Sequence, residues 1–142
     1  MPNARQLAAD ILHELQTGKH TLDSLLEHSD PLFRQLQRTD RALAHALIFG
    51  VLRWQGQLDW TIGTLLRKPK KKIDPWIRTV LRMGLFQIDK MDRIPDSAVV
   101  HTAVELVKTN NRKWAAGFIN GVLRNAIRRT KPPAMPDIDK DP

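Results

Sequence analysis

The sequence predicts an all-α domain of about six or seven helices, and three features of the chain support this fold class. Apolar residues recur at intervals of three and four through most of the chain, which places them on one stripe of each helix. No segment shows the sustained apolar and polar alternation of a strand. No internal repeat of fixed period is visible, so a solenoid is not expected.

The longest predicted helix covers residues 39–66 and contains no proline. We expect Thr39 or Asp40 to cap its start, because a short oxygen-bearing side chain accepts hydrogen bonds from first-turn amides. Gly50 and Gly56 are positions at which this helix could bend, since glycine disfavours a helix interior. At about 1.5 Å per residue the helix is roughly 42 Å long, so it needs shorter helices packed along it to cover its apolar stripe.

The remaining segments supply these shorter helices. Residues 4–16 carry an apolar stripe, and we expect this helix to lie beside the long one. The last helix is predicted over 115–127. Residues 1–130 are predicted to form the domain, and residues 131–142 a proline-rich linker or tail. The predicted starts and turns between these helices are Thr21, Pro31, Asp74 with Pro75, Pro95 with Asp96 and Ser97, and Asn110 with Asn111.

The charge of the chain favours a polyanionic partner. The formal net charge is +8, and residues 137–142 contribute −2, so residues 1–136 carry +10. Such a surplus on a small domain attracts nucleic acid, because phosphates release counterions when basic side chains neutralise them. A basic surface with no such partner is the alternative that charge alone leaves open.

Several classes of chemistry find no support in the sequence. There is no cysteine, which excludes disulfides and cysteine nucleophiles within this chain and fits a cytoplasmic protein. His13 and Glu14 begin like a zinc-protease motif, but Thr17 stands where the second histidine is required. No phosphate-binding glycine loop, signal peptide or membrane-length apolar run is present. We therefore expect no catalytic site, metal or cofactor in this chain, and no membrane partner.

The basic residues are the remaining candidates for function. Residues 67–72 place five positive side chains in six positions, a loop able to follow a phosphate backbone or simply to be solvated. Arg41 and Arg53 could each bind phosphate or could instead pair with Asp40, Asp59 or another carboxylate. The candidate RNA contacts are Arg5, Lys19, His20, Arg41, Arg53, Arg67, Lys68, Lys70, Lys71, Lys72, Arg124, Arg128 and Arg129.

Four tryptophans could stack on unpaired bases, because an aromatic face accepts any base. Their apolar neighbours at helical spacing favour positions in the core or at its rim instead, since a tryptophan buries a large surface. These residues are Trp54, Trp60, Trp76 and Trp114.

Three segments of the chain resemble a known family. They are TDRALAHALIFGVLRWQGQLDW at 39–60, VLRMGLFQIDKMDRIPDSAVVHTAVELVK at 80–108 and FINGVLR at 118–124. Together they are similar to the NusB-like RNA-binding domain, most of all the version at the N-terminus of Sun/RsmB ribosomal RNA cytosine-5 methyltransferases. The resemblance covers residues 4–130. Arg124 at the end of the third segment, and Gln87 after Gly-Leu-Phe, favour this branch over free-standing NusB.

The resemblance implies an all-α bundle of two packed sub-bundles that binds RNA, with ribosomal RNA as the expected partner and a contact near Arg5. It also implies that Asn120 satisfies backbone groups between helices rather than touching a ligand. The methyltransferase domain, which would use S-adenosylmethionine, has no counterpart in this sequence, so the chain is expected to be a fragment cut near Lys131.

Three functions therefore stay open from the sequence. The first is an accessory domain that docks ribosomal RNA for a methyltransferase domain in the same polypeptide. The second is a complete transcription antitermination factor of the NusB type, which binds RNA together with a ribosomal-protein partner. The third is a helical protein-interaction module whose basic surface meets an acidic partner.

Overall fold

The structure is a computed structural model that describes residues 3–68 and 72–129. Within these ranges the chain forms seven α-helices and one short 3-10 helix, with no strand, which confirms the predicted all-α class. The helices are α1 (Ala4–Gln16), α2 (Leu22–His28), α3 (Asp30–Gln35), α4 (Arg38–Leu65), α5 (Pro75–Lys90), α6 (Asp96–Thr109) and α7 (Ala116–Arg128), and the 3-10 helix (Lys113–Ala115) precedes α7.

Two predicted helix starts are confirmed by their capping hydrogen bonds. The Thr21 side chain accepts from the Ser24 amide, and the Asp74 side chain accepts from the Trp76 and Ile77 amides. Each cap satisfies amides that have no partner inside the helix. The turn after α6 is also found where the two asparagines predict it, with Asn111 at a φ of 61°.

The predicted cap of the long helix is wrong. α4 begins at Arg38, after Gln37, and no side chain caps it. Thr39 and Asp40 lie inside its first turn. There the negative charge of Asp40 interacts favourably with the positive end of the helix dipole.

Of the two glycines of α4 named above, Gly50 lets α4 and α5 approach closely, and neither glycine bends α4. α4 is a single uninterrupted helix through Gly50 and Gly56. A Cβ placed at Gly50 would overlap the buried ring of Phe86 in α5, whereas a Cβ at Gly56 would meet nothing within 4 Å. Gly50 is therefore a packing position, and Gly56 is not.

An ion pair joins the same two helices further along. The Asp59 carboxylate of α4 accepts from Arg82 Nε at 2.8 Å and from Arg82 Nη2 at 2.9 Å. Arg78 Nη1 donates to the same carboxylate at 3.2 Å. The contact from Arg82 is bidentate, and Arg82 is buried while the Asp59 side chain stays about a third exposed (34%).

α5 is the central element of the bundle. Its residues from Trp76 to Gln87 are buried with one exception, the half-buried Arg78, and α5 contacts α1, α4, α6 and α7. α1 lies against both α4 and α5, as the sequence predicts for the helix over 4–16. Side-chain hydrogen bonds from Arg5 to Gln87 and from Gln16 to Thr79 show that α1 and α5 run antiparallel. Apart from Val99, the buried apolar residues of the described ranges form one core. None of the helices described is long and apolar enough to cross a bilayer.

The contrast between the two glycines gives a test of this packing. We expect Gly50→Ala to destabilise the fold by about 1–3 kcal/mol, because the added methyl overpacks against the Phe86 ring. Gly56→Ala should instead stabilise it by about 0.5–1 kcal/mol through helix propensity. Urea unfolding of both variants measures the difference, and equal effects would show that α4 and α5 do not pack as described.

Candidate nucleic-acid interface

A groove of about 900 Å³ lies where the end of α4 and the start of α5 face α7. Its wall is largely aliphatic and includes Leu65, Leu66, Ile73, Ile77 and Val122. Two aromatic side chains and four cationic side chains complete the lining, namely Trp114, Phe118, Arg67, Lys68, Lys72 and Arg128. The groove thus combines an apolar wall with positive charge.

The aromatic residues in the groove are unusually exposed. Trp114 is 71% exposed and Phe118 is 41% exposed. The other tryptophans follow the prediction of core or rim, since Trp76 is buried and Trp54 and Trp60 are half-buried. For Trp114 that prediction is wrong, because its ring is open to a ligand. An exposed indole at a basic groove is the kind of surface on which a base stacks.

The cations in the groove come from segments far apart in sequence. Arg67, Lys68 and Lys72 are exposed side chains of the predicted basic loop, and Arg128 is an exposed residue at the end of α7. The predicted contacts Lys70 and Lys71 lie outside the described residues.

The other two arginines near the end of α7 make contacts of their own. Arg129 donates to the Thr64 carbonyl at 3.4 Å and so connects the end of α7 to α4. Arg124 Nε donates to Asn120 Oδ1 at 3.0 Å, and both side chains belong to α7. The expectation that Asn120 satisfies backbone groups between helices is therefore wrong for its Oδ1, which accepts from a side chain of its own helix.

A network around Asp74 holds one wall of the groove in place. Arg112 lies with its Nε 3.4 Å from Asp74 Oδ1 and its guanidinium 5.0 Å from the centre of the Trp76 ring. Burial disfavours the charged carboxylate, but the Ile77 and Trp76 amides and Arg112 outweigh burial, and the pKa of Asp74 is lowered. Asp74 is thus held as a carboxylate that fixes the start of α5 against the segment leading to Trp114.

Arg5 lines a different hollow, which shares no lining residue with the groove. Its Nε donates to Gln87 Oε1 at 3.1 Å. Burial lowers the pKa of the Arg5 guanidinium, and the nearby Asp40 carboxylate partly offsets this lowering. The arginine nevertheless stays protonated. Both Asp40 and Glu105 line this hollow of about 400 Å³ beside Arg5, so its charge is mixed and less suited to phosphate.

The remaining predicted contacts are scattered. Lys19 and His20 are exposed in the turn after α1, Arg53 is exposed on α4, and Arg41 is half-buried there. Among the described residues, neither of these α4 arginines pairs with a carboxylate, so the predicted pairing with Asp40 or Asp59 is wrong. Arg53 instead lies 5.5 Å from the Trp54 ring centre.

Three arginines that join helices and loops of the structure are not recognisable from the sequence. Arg78 and Arg82 hold Asp59, and Arg112 holds Asp74. Each pair joins residues at least 19 positions apart, so no local pattern reveals it. In the part of the chain that the structure describes, no group of three or more His, Cys, Asp or Glu side chains could hold a metal.

The described residues thus form an all-α domain with a basic groove that is lined in part by aromatic side chains. The NusB family model matches residues 2–128, and the chain belongs to the NusB family.

Similar proteins include longer methyltransferases. The chain is 34% identical over 130 residues to the probable ribosomal RNA small subunit methyltransferase B of Bacillus subtilis, covering 92% of this chain and 29% of that protein. It is 34% identical over 140 residues to the ribosomal RNA small subunit methyltransferase B of Pseudomonas putida, covering 99% of this chain and 31% of that protein. The chain thus spans less than a third of the length of these relatives.

Solved structures share the fold. The crystal structure of antitermination factors NusB and NusE in complex with dsRNA contains a chain that matches with a TM-score of 0.77 at 21% identity, covering 89% of this chain and 94% of that one. T. maritima NusB matches with a TM-score of 0.77 at 21% identity, covering 94% of each chain. At this identity the likeness establishes the all-α NusB fold.

The Asp74 network predicts a dependence of stability on pH. A lowered pKa means that Asp74 stabilises the fold fully above its unfolded value of 3.8, and that this contribution is lost as the pH falls through the folded value. Asp74→Asn keeps a good cap but removes the charge. The stability difference between wild type and Asp74→Asn should therefore be constant above about pH 5 and shrink below about pH 4. Urea unfolding from pH 3 to pH 7 measures it, and a difference that grows on acidification would contradict the assignment.

Proposed function

We propose that this chain is an RNA-binding domain that docks ribosomal RNA for a methyltransferase domain carried by a longer polypeptide. Relatives of this chain that are named ribosomal RNA small subunit methyltransferase B support the proposal, since the chain matches less than a third of their length. The methyltransferase domain would transfer a methyl group from S-adenosylmethionine to a cytosine. The expected compartment is the cytoplasm.

The groove is the observation that carries this proposal. Its four cations can neutralise phosphates, while Trp114 and Phe118 offer faces on which unpaired bases stack. We propose single-stranded or looped RNA as the ligand, because bases in a duplex are not free to stack on protein side chains. The predicted contacts away from the groove, namely Arg5, Lys19, His20, Arg41, Arg53 and Arg124, stay predictions.

S-adenosylmethionine does not fit the described part of this chain. Nucleotide-type cofactors are usually held at a turn between a strand and a helix, and the described residues form helices without a strand. We therefore assign the cofactor to the proposed catalytic domain.

A free-standing antitermination factor is the second candidate. It is supported by the match to NusB, because the alignment covers 94% of the NusB chain as well as 94% of this one. The intact mass of the native gene product in its source cell separates the two candidates. A product far heavier than 16.3 kDa supports the methyltransferase proposal, and a product of this size supports the antitermination factor.

Neutralising the groove should weaken RNA binding more than neutralising the same number of charges elsewhere. We expect the triple variant Lys68→Gln, Lys72→Gln, Arg128→Gln to bind a labelled small-subunit ribosomal RNA fragment at least about tenfold more weakly. The plot of log K against log salt should become less steep by about 2 to 3, because each cation removed no longer displaces a counterion from the RNA. Fluorescence anisotropy at several salt concentrations measures both quantities.

The matched control is Arg38→Gln, Arg93→Gln, Lys108→Gln, which removes three exposed cations outside the groove. If the two triple variants lose affinity equally, the groove is not the RNA site. If wild type shows no salt-sensitive RNA binding at all, the chain is instead a protein-interaction module.

Stacking at the groove can be tested apart from charge. Trp114→Ala should weaken binding of single-stranded RNA about tenfold, because stacking on one aromatic ring contributes about 1–3 kcal/mol per base. Trp114→Phe should retain most of the affinity. Because Trp114 is 71% exposed, neither variant should change the melting temperature appreciably. Full affinity of Trp114→Ala in the same anisotropy assay would remove the indole from the interface.

A further inference from the structure

A row of three aromatic rings lies at the surface where α3 meets α4, outside the groove. The centre of the Phe33 ring is 4.8 Å from that of His45, and the His45 ring is 6.1 Å from that of Phe49 at an interplanar angle of 15°. Phe33 is buried in the core, whereas Phe49 ends the row with 47% of its surface exposed. The exposed Phe49 ring is therefore held in place by its neighbours.

Phe49 belongs to the solvent-facing side of α4. Six positions at intervals of three and four share this face, and each of them is exposed or half-buried. These positions, which we call the outer face of α4, are His45, Phe49, Arg53, Gly56, Trp60 and Gly63. None of the six is acidic and Arg53 is a cation, so the charge that this face presents is positive.

We infer that the outer face of α4 binds a single strand of RNA that continues from the groove, with a base stacked on Phe49 and a phosphate bound by Arg53. The inference rests on the proposed function and adds a second contact to it. Stacking on an aromatic ring accepts any base, and a cation close to that ring can neutralise the neighbouring phosphate. The two side chains are one helical turn apart, about 6 Å along the axis of α4.

Arg53 is available for such a phosphate. Its guanidinium lies 5.5 Å from the centre of the Trp54 ring. Among the described residues it is paired with no carboxylate. Contact with the face of a ring orients a guanidinium without using its N–H donors, so these donors can bind phosphate oxygens.

The outer face leads directly to the groove. α4 ends at Leu65, which lines the groove, and the groove cations Arg67 and Lys68 follow it in the chain. From Phe49 to Leu65 the helix covers about 24 Å. About seven stacked nucleotides span this distance at roughly 3.4 Å each. A Cβ at Gly56, which lies between the two points, would meet nothing within 4 Å, so a strand has room to lie against the helix.

The length of the RNA separates this contact from the groove. A single strand of about 12 nucleotides reaches both surfaces, whereas one of about 4 nucleotides fits the groove alone. We expect the variant Phe49→Leu, Arg53→Gln to bind the longer strand about tenfold more weakly and to bind the shorter strand as wild type does. Phe49→Leu keeps an apolar side chain, so the loss reports stacking. Fluorescence anisotropy with both labelled strands measures the affinities.

The matched control is Leu32→Ala, Lys108→Gln, which removes an exposed apolar side chain and an exposed cation away from the outer face. Leu32 is 43% exposed, close to the value for Phe49. We expect this control to bind both strands nearly as wild type does. If it loses as much affinity for the longer strand as Phe49→Leu, Arg53→Gln loses, the inference is wrong.

Gly56 allows a second test that removes no side chain from the protein. Gly56→Glu places a carboxylate on the path of the strand, and Gly56→Gln places an uncharged side chain of the same shape there. We expect Gly56→Glu to bind the longer strand severalfold more weakly than Gly56→Gln, and this difference should shrink as the salt concentration rises. Equal affinities of the two variants at low salt would overturn the inference.

Failure of this inference differs from failure of the proposed function. If wild type binds neither strand, the proposed function fails and this inference fails with it. If the variant Lys68→Gln, Lys72→Gln, Arg128→Gln loses affinity while Phe49→Leu, Arg53→Gln matches wild type on both strands, the groove stands as the RNA site. That result would overturn the inference alone and would leave the outer face of α4 to a protein partner.

Discussion

The fold depends on the contact between α4 and α5, where the Asp59 carboxylate of α4 pairs with Arg78 and Arg82 of α5. Arg82 holds both oxygens of that carboxylate at 2.8 and 2.9 Å while only 7% exposed. Loss of Asp59 would leave the buried Arg82 guanidinium without its carboxylate, whereas loss of Arg82 would leave Asp59 partly solvated and still paired with Arg78. The ion pair joins the two helices at one point, and Gly50 against Phe86 brings them close at a second point. Because α5 also contacts α1, α6 and α7, its placement on α4 positions the walls of the groove.

Most of the helices could be predicted because their signals are local. A stripe at intervals of three and four residues, together with a cap such as Thr21 or Asp74, needs no information from the rest of the chain. The start of α4 could not be predicted in this way. Leu36, which is buried, anchors the chain just before the helix, so tertiary packing sets the start at Arg38 in spite of two good capping residues that follow. The pairing of Asp59 with Arg82 was equally hidden, because it joins two helices across 23 positions.

The candidate site could be predicted only in part, for a similar reason. The basic loop is visible in the sequence as a cluster of cations, but Arg128 joins it only because α7 packs against the end of α4. Trp114 was assigned to the core or rim because its neighbours follow helical spacing. It lies in the 3-10 helix before α7, where the spacing of the α7 stripe does not apply, and its ring consequently faces outward. A groove built from three separate segments is a property of packing, and no single segment contains it.

The proposed groove would distinguish between RNA ligands through two separate interactions. Its four cations attract phosphate whatever the RNA sequence, and the −2 charge of residues 137–142 lowers this general attraction of the +10 domain for any polyanion. Stacking on Trp114 instead requires an unpaired base. Duplex RNA offers charge alone, whereas looped RNA offers both charge and stacking, so a groove that combines the two would favour looped RNA.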